Sequence, residues 1–383
     1  MTTALVNGLV FLGKQETGNT WLTNHAVIIS GEKIIAICEN NNLPAGVTNT
    51  IDLQGQRLLP GLIDTQVNGG GGALFNDSPS VETLRVMGEA HRKYGTTGFY
   101  PTLISDDLSV VANAIAAVKQ AIDEKVPGVL GIHLEGPFLN PERKGVHDAS
   151  KFKIIDEAAF ELLTSLKVGK TLITIAPELT TPEMIRRLVD AGVVVAAGHS
   201  AANYEQTKAA LAAGLSSFTH LFNAMTPLTS REPGMVGAIL EDKNSWCGII
   251  VDGYHVHPAT LKIAHQAKAA GKMVLVTDAM PSVGAIDKNF TLNDELIECK
   301  NGKLTTATGT LAGSDLDMLA AVKNTVEMVG IELDEAIRMA TEYPAAMMGE
   351  NSLGAIKVGY NASMILIDDN FQQVRSWIDG REF

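Results

Sequence analysis

One glutamate, two histidines and one aspartate each stand where an apolar run of the chain stops. Glu135 ends Gly131-Ile132-His133-Leu134-Glu135, just before the turn Gly136-Pro137. His199 follows Val193-Val194-Val195-Ala196-Ala197-Gly198, and His220 follows Ser217-Phe218-Thr219. Asp278 follows Met273-Val274-Leu275-Val276-Thr277. One histidine at a strand end is ordinarily a satisfied structural residue, but several such groups ending different strands of one barrel must converge. A carboxylate with two imidazoles suits Zn²⁺ or a similar divalent ion and leaves positions open for water and substrate. Glu135, His199 and His220 are therefore the expected metal ligands. Asp278, whose plain alternative is a helix cap, is the expected general base. The chemistry of that set is metal-assisted hydrolysis.

Such residues need rigid elements beneath them. Eight short apolar runs read as strands, at 58–65, 97–103, 129–135, 172–176, 193–198, 216–220, 247–252 and 273–277. Amphipathic stretches at 80–94, 108–124, 156–166, 182–191, 204–213 and 258–270 lie between them. The third carries Ala159, Leu162, Leu163 and Leu166 at the spacing of one helix face. Strand–helix alternation predicts a parallel sheet of the α/β class, and eight units predict a (β/α)8 TIM-type barrel over residues 58–349. In that fold chemistry gathers at the carboxyl ends of the strands, where all four residues fall. The ends of the chain read as short strands, with a hairpin at Ala26-Val27-Ile28-Ile29-Ser30, Gly31-Glu32-Lys33 and Ile34-Ile35-Ala36-Ile37. Neither end has enough apolar surface alone, so residues 1–57 and 350–383 are expected to join in one small β-sandwich. Asn68-Gly69-Gly70-Gly71-Gly72 opens no helix and gives no dinucleotide-binding pattern.

Bulk properties remove several other classes. At 383 residues with 45% hydrophobic and 19% charged residues, the chain has material for a large core. A net charge of −13 argues against nucleic acid, whose phosphates need a basic face. One local arginine can still hold a small phosphorylated substrate. Cys38, Cys247 and Cys299 are odd in number and form no CxxC, so neither a disulfide framework nor a thiolate zinc site is expected. Met1-Thr2-Thr3-Ala4 lacks a basic leader region, and no apolar run approaches the ~20 residues of a membrane span. The expectation is a soluble, cytoplasmic protein with no membrane partner.

The residues also carry a resemblance. Leu59-Pro60-Gly61-Leu62-Ile63-Asp64, followed by the glycine-rich loop, resembles the entry to an amidohydrolase superfamily barrel. His133-Leu134-Glu135-Gly136-Pro137-Phe138, Lys144-Gly145-Val146-His147, Gly198-His199-Ser200 and Thr219-His220-Leu221-Phe222-Asn223-Ala224-Met225 resemble the N-acetylglucosamine-6-phosphate deacetylase family. So do Ala176-Pro177-Glu178, Arg231-Glu232-Pro233-Gly234, Asp252-Gly253-Tyr254-His255, Val276-Thr277-Asp278-Ala279 and Leu311-Ala312-Gly313-Ser314. The likeness spans essentially the whole chain.

That resemblance implies hydrolysis of the acetamide of N-acetyl-D-glucosamine 6-phosphate to D-glucosamine 6-phosphate and acetate, in amino-sugar catabolism or recycling. It implies Asp278 as the proton shuttle and His147 as a hydrogen-bond donor to the oxyanion and a substrate contact. Asn223, Ala224 and His255 would meet the 6-phosphate, and Leu311, Ala312 and Gly313 the sugar. Arg231 would reach the phosphate of a neighbouring subunit, which implies a homodimer. Many amidohydrolases carry His-x-His at the end of the first strand and hold two metals. Here Gln66-Val67-Asn68 stand there. Amides are weak ligands, so one divalent ion per subunit is expected, with the second site weak or absent. Zn²⁺ is the expected ion, with Fe²⁺, Co²⁺ and Mn²⁺ as alternatives. An amidohydrolase acting on a cyclic ureide or dipeptide, and a metal-binding barrel without catalysis, are the competing readings. His133 is expected on the opposite strand face or in a supporting role, and His25, His91 and His265 as surface or packing residues.

Overall fold

A computed structural model describes residues 2–13 and 20–383. Eight parallel strands run in order round one sheet: β1 Leu62–Val67, β2 Thr96–Ile104, β3 Gly131–Glu135, β4 Lys170–Ile175, β5 Val194–Ala197, β6 Ser217–Phe218, β7 Trp246–Ile249 and β8 Met273–Leu275. Every adjacent pair is parallel, from β1–β2 round to β7–β8. β1 and β8 meet just past their ends. Asp278 N–H donates to Gln66 O at 3.0 Å and Asn68 N–H to Ala279 O at 2.9 Å. β1, β2 and β3 are buried at every residue, as strands covered on both faces must be.

The helices are α1 Val81–Arg92, α2 Leu108–Asp123, α3 Glu157–Leu163, α4 Pro182–Asp190, α5 Tyr204–Ala212, α6 Gly234–Glu241 and α7 Pro258–Ala267. They are followed by α8 Met318–Asn324, α9 Leu333–Ala340 and α10 Glu342–Met348. α2 buries Val111, Ala114, Ile115, Val118 and Ala121, one stripe at helical spacing. α4 starts on the Thr181 side chain with Pro182 in the first turn, and α5 on a capping box between Asn203 and Gln206. α9 and α10 pack against β1 and β8.

One expectation needs correction. The run at 58–65 is not one strand. Arg57–Pro60 pairs in parallel with Leu9–Phe11 and antiparallel with Met364–Ile367 in a six-stranded sheet, and the barrel strand begins at Leu62. Gly61 stands at the break, and the position admits no side chain, because a Cβ there would lie 1.8 Å from Thr97 Oγ1. The six-stranded sheet faces a four-stranded one built from Thr2–Val6, His25–Ser30, Lys33–Glu39 and Asn49–Asp52. Leu5, Val27, Ile34 and Leu53 meet Val10, Leu58, Met364 and Trp377 in one core, giving the β-sandwich made from both ends of the chain.

Of the two places expected for His133, the structure gives the supporting one. Residues two apart on a strand share a face, so it shares the interior of the barrel with Glu135. Its Nδ1 is 3.2 Å from Thr102 Oγ1 and its Nε2 2.7 Å from Thr174 Oγ1. Burial lowers its pKa to about 4, leaving a neutral ring in a supporting network.

An antiparallel insert follows β8, in strands Phe290–Leu292, Glu295–Lys300 and Lys303–Thr305. Both connections are two-residue turns with left-handed backbone, Asn293-Asp294 (φ 49 and 62°) and Asn301-Gly302 (φ 54 and 80°). Leu292, Ile297 and Leu304 pack with Met280, Ile104 and Ala312, which fixes the insert over one side of the barrel mouth.

Candidate metal centre and catalytic pocket

Glu135, His199 and His220 end or follow β3, β5 and β6, and the barrel brings them together. Their candidate ligand atoms lie within 4.8 Å of one another, and all three residues are buried. Glu135 Oε1 is 3.2 Å from His199 Nε2 and 3.0 Å from His220 Nε2, and the two Nε2 atoms are 3.0 Å apart. His199 Nδ1 lies 2.8 Å from Arg143 O. A carbonyl only accepts, so that ring carries its hydrogen on Nδ1 and turns the Nε2 lone pair toward Glu135. Several lone pairs aimed into one volume repel each other unless a cation or a shared proton lies between them. The donor set fits a divalent ion. Burial works against the charge on Glu135, but the two imidazoles of His199 and His220 beside it, each able to carry positive charge, outweigh it and hold the carboxyl well below its usual range.

Local backbone explains how short strands can deliver these side chains. His199, His220 and Asp278 have φ of 47, 32 and 54°. This left-handed conformation is uncommon outside glycine and concentrates at functional sites. The loop after β5 is tied down by Glu178, which accepts from Ser200 Oγ and Ala201 N, both at 2.6 Å, and from Asn140 Nδ2 at 2.9 Å.

Asp278 borders the same cavity. Burial, then the nearby negative charge of Glu135, raises its pKa. The preceding Thr277 donates its N–H and hydroxyl to Asp64, whose carboxyl burial pushes up to about 7. Across the pocket, His147 Nδ1 receives the Ser105 N–H at 3.3 Å, with Ser105 Oγ at 2.9 Å. An N–H only donates, so Nδ1 accepts and the hydrogen of a neutral ring is on Nε2. Burial, then His199, lowers the His147 pKa to about 3. The insert holds the loop bearing His147, through Asn293 Nδ2 on Val146 O at 3.1 Å.

The cavity measures about 220 Å³. Asn223, Ala224 and His255 line it, as do Leu311 and Gly313. His255 is aligned by Asp252, 2.6 Å from its Nδ1. Burial opposes the Asp252 charge, yet the His255 hydrogen bond keeps that carboxyl low. Ala312 is fully buried in the core under the insert, so only its backbone can serve a ligand. Arg231 is exposed, does not line this cavity, and forms no ion pair with any described residue.

At the corner expected to hold a second ion weakly or not at all, the amides of Gln66 and Asn68 serve as hydrogen-bond donors. Gln66 Nε2 is 3.1 Å from both Glu135 Oε2 and Asp278 Oδ1, and Asn68 Nδ2 is 2.7 Å from Asp278 Oδ1. Sequence reasoning also missed Ser105 and the apolar wall of Ile104 and Met280. Apolar side chains in core-like runs carry no signal of that kind.

The amidohydrolase family matches residues 57–382, and the NagA composite domain matches residues 3–58. An N-acetylgalactosamine-6-phosphate deacetylase of Shewanella sp. (strain ANA-3) is 45% identical, over 84% of this chain and 82% of that protein. An N-acetylglucosamine-6-phosphate deacetylase of Haemophilus influenzae is 38% identical, over 100% of this chain and 99% of that one. The crystal structure of N-acetylglucosamine-6-phosphate deacetylase from Pasteurella multocida superposes with a TM-score of 0.95 at 35% identity, covering 100% of both chains. With family models matching residues 3–58 and 57–382 and a fold that superposes over the whole chain, the chain belongs to the amidohydrolase family, in the branch that holds the N-acetylglucosamine-6-phosphate deacetylases.

Proposed function

We propose that the chain hydrolyses the acetamide of N-acetyl-D-glucosamine 6-phosphate to D-glucosamine 6-phosphate and acetate, in amino-sugar catabolism or recycling. The observation that carries this reading is the meeting of Glu135, His199 and His220 with Asp278 and His147 round one small cavity. Glu135, His199 and His220 would hold a divalent ion, which would supply Lewis acidity and bring water ionisation toward neutral pH. Asp278 takes the proton of the attacking water, a role suited to a carboxylate whose pKa is raised. It then delivers that proton to the departing nitrogen, because an amide does not expel an unprotonated amine cheaply. The Nε2–H of His147 donates to the oxygen that gains negative charge. Asn223, Ala224 and His255 receive the 6-phosphate, while Leu311, Gly313 and the Ala312 backbone border the sugar.

Zn²⁺ is the ion we assign, one per subunit. Arg231 completes the phosphate site of a second copy, in a homodimer. Its exposed guanidinium, free of ion pairs with described residues, supports that role. So do the exposed apolar side chains of Leu228, Tyr254, Ile263 and Met328 on neighbouring elements. No helix among the described residues is long and apolar enough to cross a membrane, and all three cysteines are free, which fits the cytoplasm.

A second reading has its own support. The Shewanella relative, at 45% identity, is named for the galactosamine substrate, the epimer at C4. Both epimers present the same acetamide and phosphate to the residues above. Acetate release from N-acetylglucosamine 6-phosphate and N-acetylgalactosamine 6-phosphate, with chelated and Zn²⁺-reloaded protein, tests both readings. The first expects metal-dependent release that favours the gluco sugar. A reversed preference gives the second, and no release from either overturns both.

A further inference from the structure

Two buried amides face Asp278, and nothing described so far gives them a part in the reaction. Gln66 and Asn68 are 2% and 1% exposed. The Gln66 amide nitrogen spans Glu135 Oε2 and Asp278 Oδ1 at 3.1 Å each, one hydrogen for each carboxylate. The Asn68 nitrogen adds a second donor to Asp278 Oδ1 at 2.7 Å. Nitrogen is the only end of an amide that can face a carboxylate favourably, so both side chains have a fixed sense. Asn68 Oδ1 is thereby left over. It is buried, has no hydrogen-bond partner among the described residues, and belongs to a side chain on the cavity wall. Such an acceptor costs free energy until a donor arrives.

We infer that Gln66 and Asn68 are positioning residues for the hydrolysis: their N–H groups hold Asp278 at its working angle, and Asn68 Oδ1 receives the N–H of the scissile acetamide. The inference rests on the reaction proposed above. Asp278 must reach the substrate nitrogen to protonate it, and the inference places that nitrogen beside Asn68, which bonds Asp278 and lines the same cavity. A secondary amide brings one N–H there, which satisfies the orphaned oxygen. An ester of the same shape brings none. The corner therefore selects amides over esters as well as aiming the carboxylate.

The test compares N-acetylglucosamine 6-phosphate with the isosteric ester 2-O-acetylglucose 6-phosphate in wild type, Asn68→Ala and Gln66→Met. Asn68→Ala is expected to lower kcat for the amide about 100-fold and for the ester about 10-fold, since the ester never used the acceptor. Gln66→Met is expected to lower kcat for both about 10-fold, leaving the amide-to-ester ratio unchanged. In both variants KM stays within threefold of wild type. Zn²⁺ content by elemental analysis and the thermal midpoint match wild type, which separates positioning from a structural role. An unchanged ratio in Asn68→Ala overturns the acceptor role. Loss of ion or of folding in step with activity overturns positioning. Unaltered kcat in both variants overturns the whole inference while an active wild type leaves the proposed function standing, whereas a wild type inert toward both epimers strikes that function first.

Discussion

Two corners of one barrel mouth solve opposite electrostatic problems. At the ends of β3, β5 and β6, Glu135, His199 and His220 gather lone pairs within 4.8 Å. At the end of β1, Gln66 and Asn68 gather N–H groups against the carboxylates of Glu135 and Asp278. The first corner is incomplete without positive charge. The second has already answered its negative charge with hydrogens, and a cation there would have to displace donors. The same carboxylates can thus be balanced by an ion on one side and by amide dipoles on the other. The contrast supports the single ion proposed above.

The strongest way to break that contrast is Glu135→Gln, which removes the anion from the first corner. Ion content should fall below a tenth of wild type and turnover by more than about 1,000-fold; retention of a full equivalent of Zn²⁺ would show that Glu135 is no ligand. Asp278→Asn should cost about 1,000-fold in kcat with the ion kept, measured by acetate release and elemental analysis together. Loss of the ion would move Asp278 from base to ligand. The second corner is sharpened by the double variant Gln66→His/Asn68→His. Removing the donors and adding imidazoles should raise bound Zn²⁺ from one equivalent to two per chain.

Farther from either corner, Arg231→Ala should raise KM for the phosphorylated sugar about 10- to 100-fold and leave the unphosphorylated sugar unchanged. Equal effects on both would remove the phosphate role. The smallest effect concerns a buried imidazole outside the site. His91 Nε2 is 2.8 Å from Gly69 O, its Nδ1 has no partner among the described residues, and burial lowers its pKa to about 4. The folded protein then binds fewer protons than the unfolded chain between the ordinary value of 6.5 and about 4, so stability falls as pH falls through that window. The slope is about 1.4 kcal/mol per pH unit for one proton. His91→Gln should flatten the urea-unfolding free energy by up to that amount between pH 6 and 5, and an unaltered slope would refute the assignment.

Much of this was legible before any coordinates. Apolar runs that stop at a carboxylate or histidine located the strand ends, and helical spacing such as Val111, Ala114, Ile115 and Val118 located the outer layer. Where the reading failed, side-chain partners decided the outcome. The apolar run changes sheets at Gly61, where Thr97 leaves no room for a side chain, and no local pattern reveals that neighbour. For His133 the sequence leaves two places open, and counting by two from Glu135 selects the interior, supporting one. The insert over the mouth announced itself only through Asn293-Asp294 and Asn301-Gly302, turns whose flanking runs are too short to read as strands alone. Gln66 and Asn68 could be seen as missing imidazoles; that they donate to Glu135 and Asp278 depends on how β1 meets its distant neighbours.

The left-handed backbone at His199, His220 and Asp278 restricts which mutational paths stay open to the molecule. A β-branched residue is badly strained at such angles, so threonine, valine and isoleucine are barred there before any chemistry is considered. Of the alternatives, asparagine, aspartate, histidine and glycine tolerate the turn best. Any library that aims to give this barrel a different metal or a different proton carrier therefore chooses from a short alphabet at those three positions, and its diversity is better placed in the insert and the neighbouring loops.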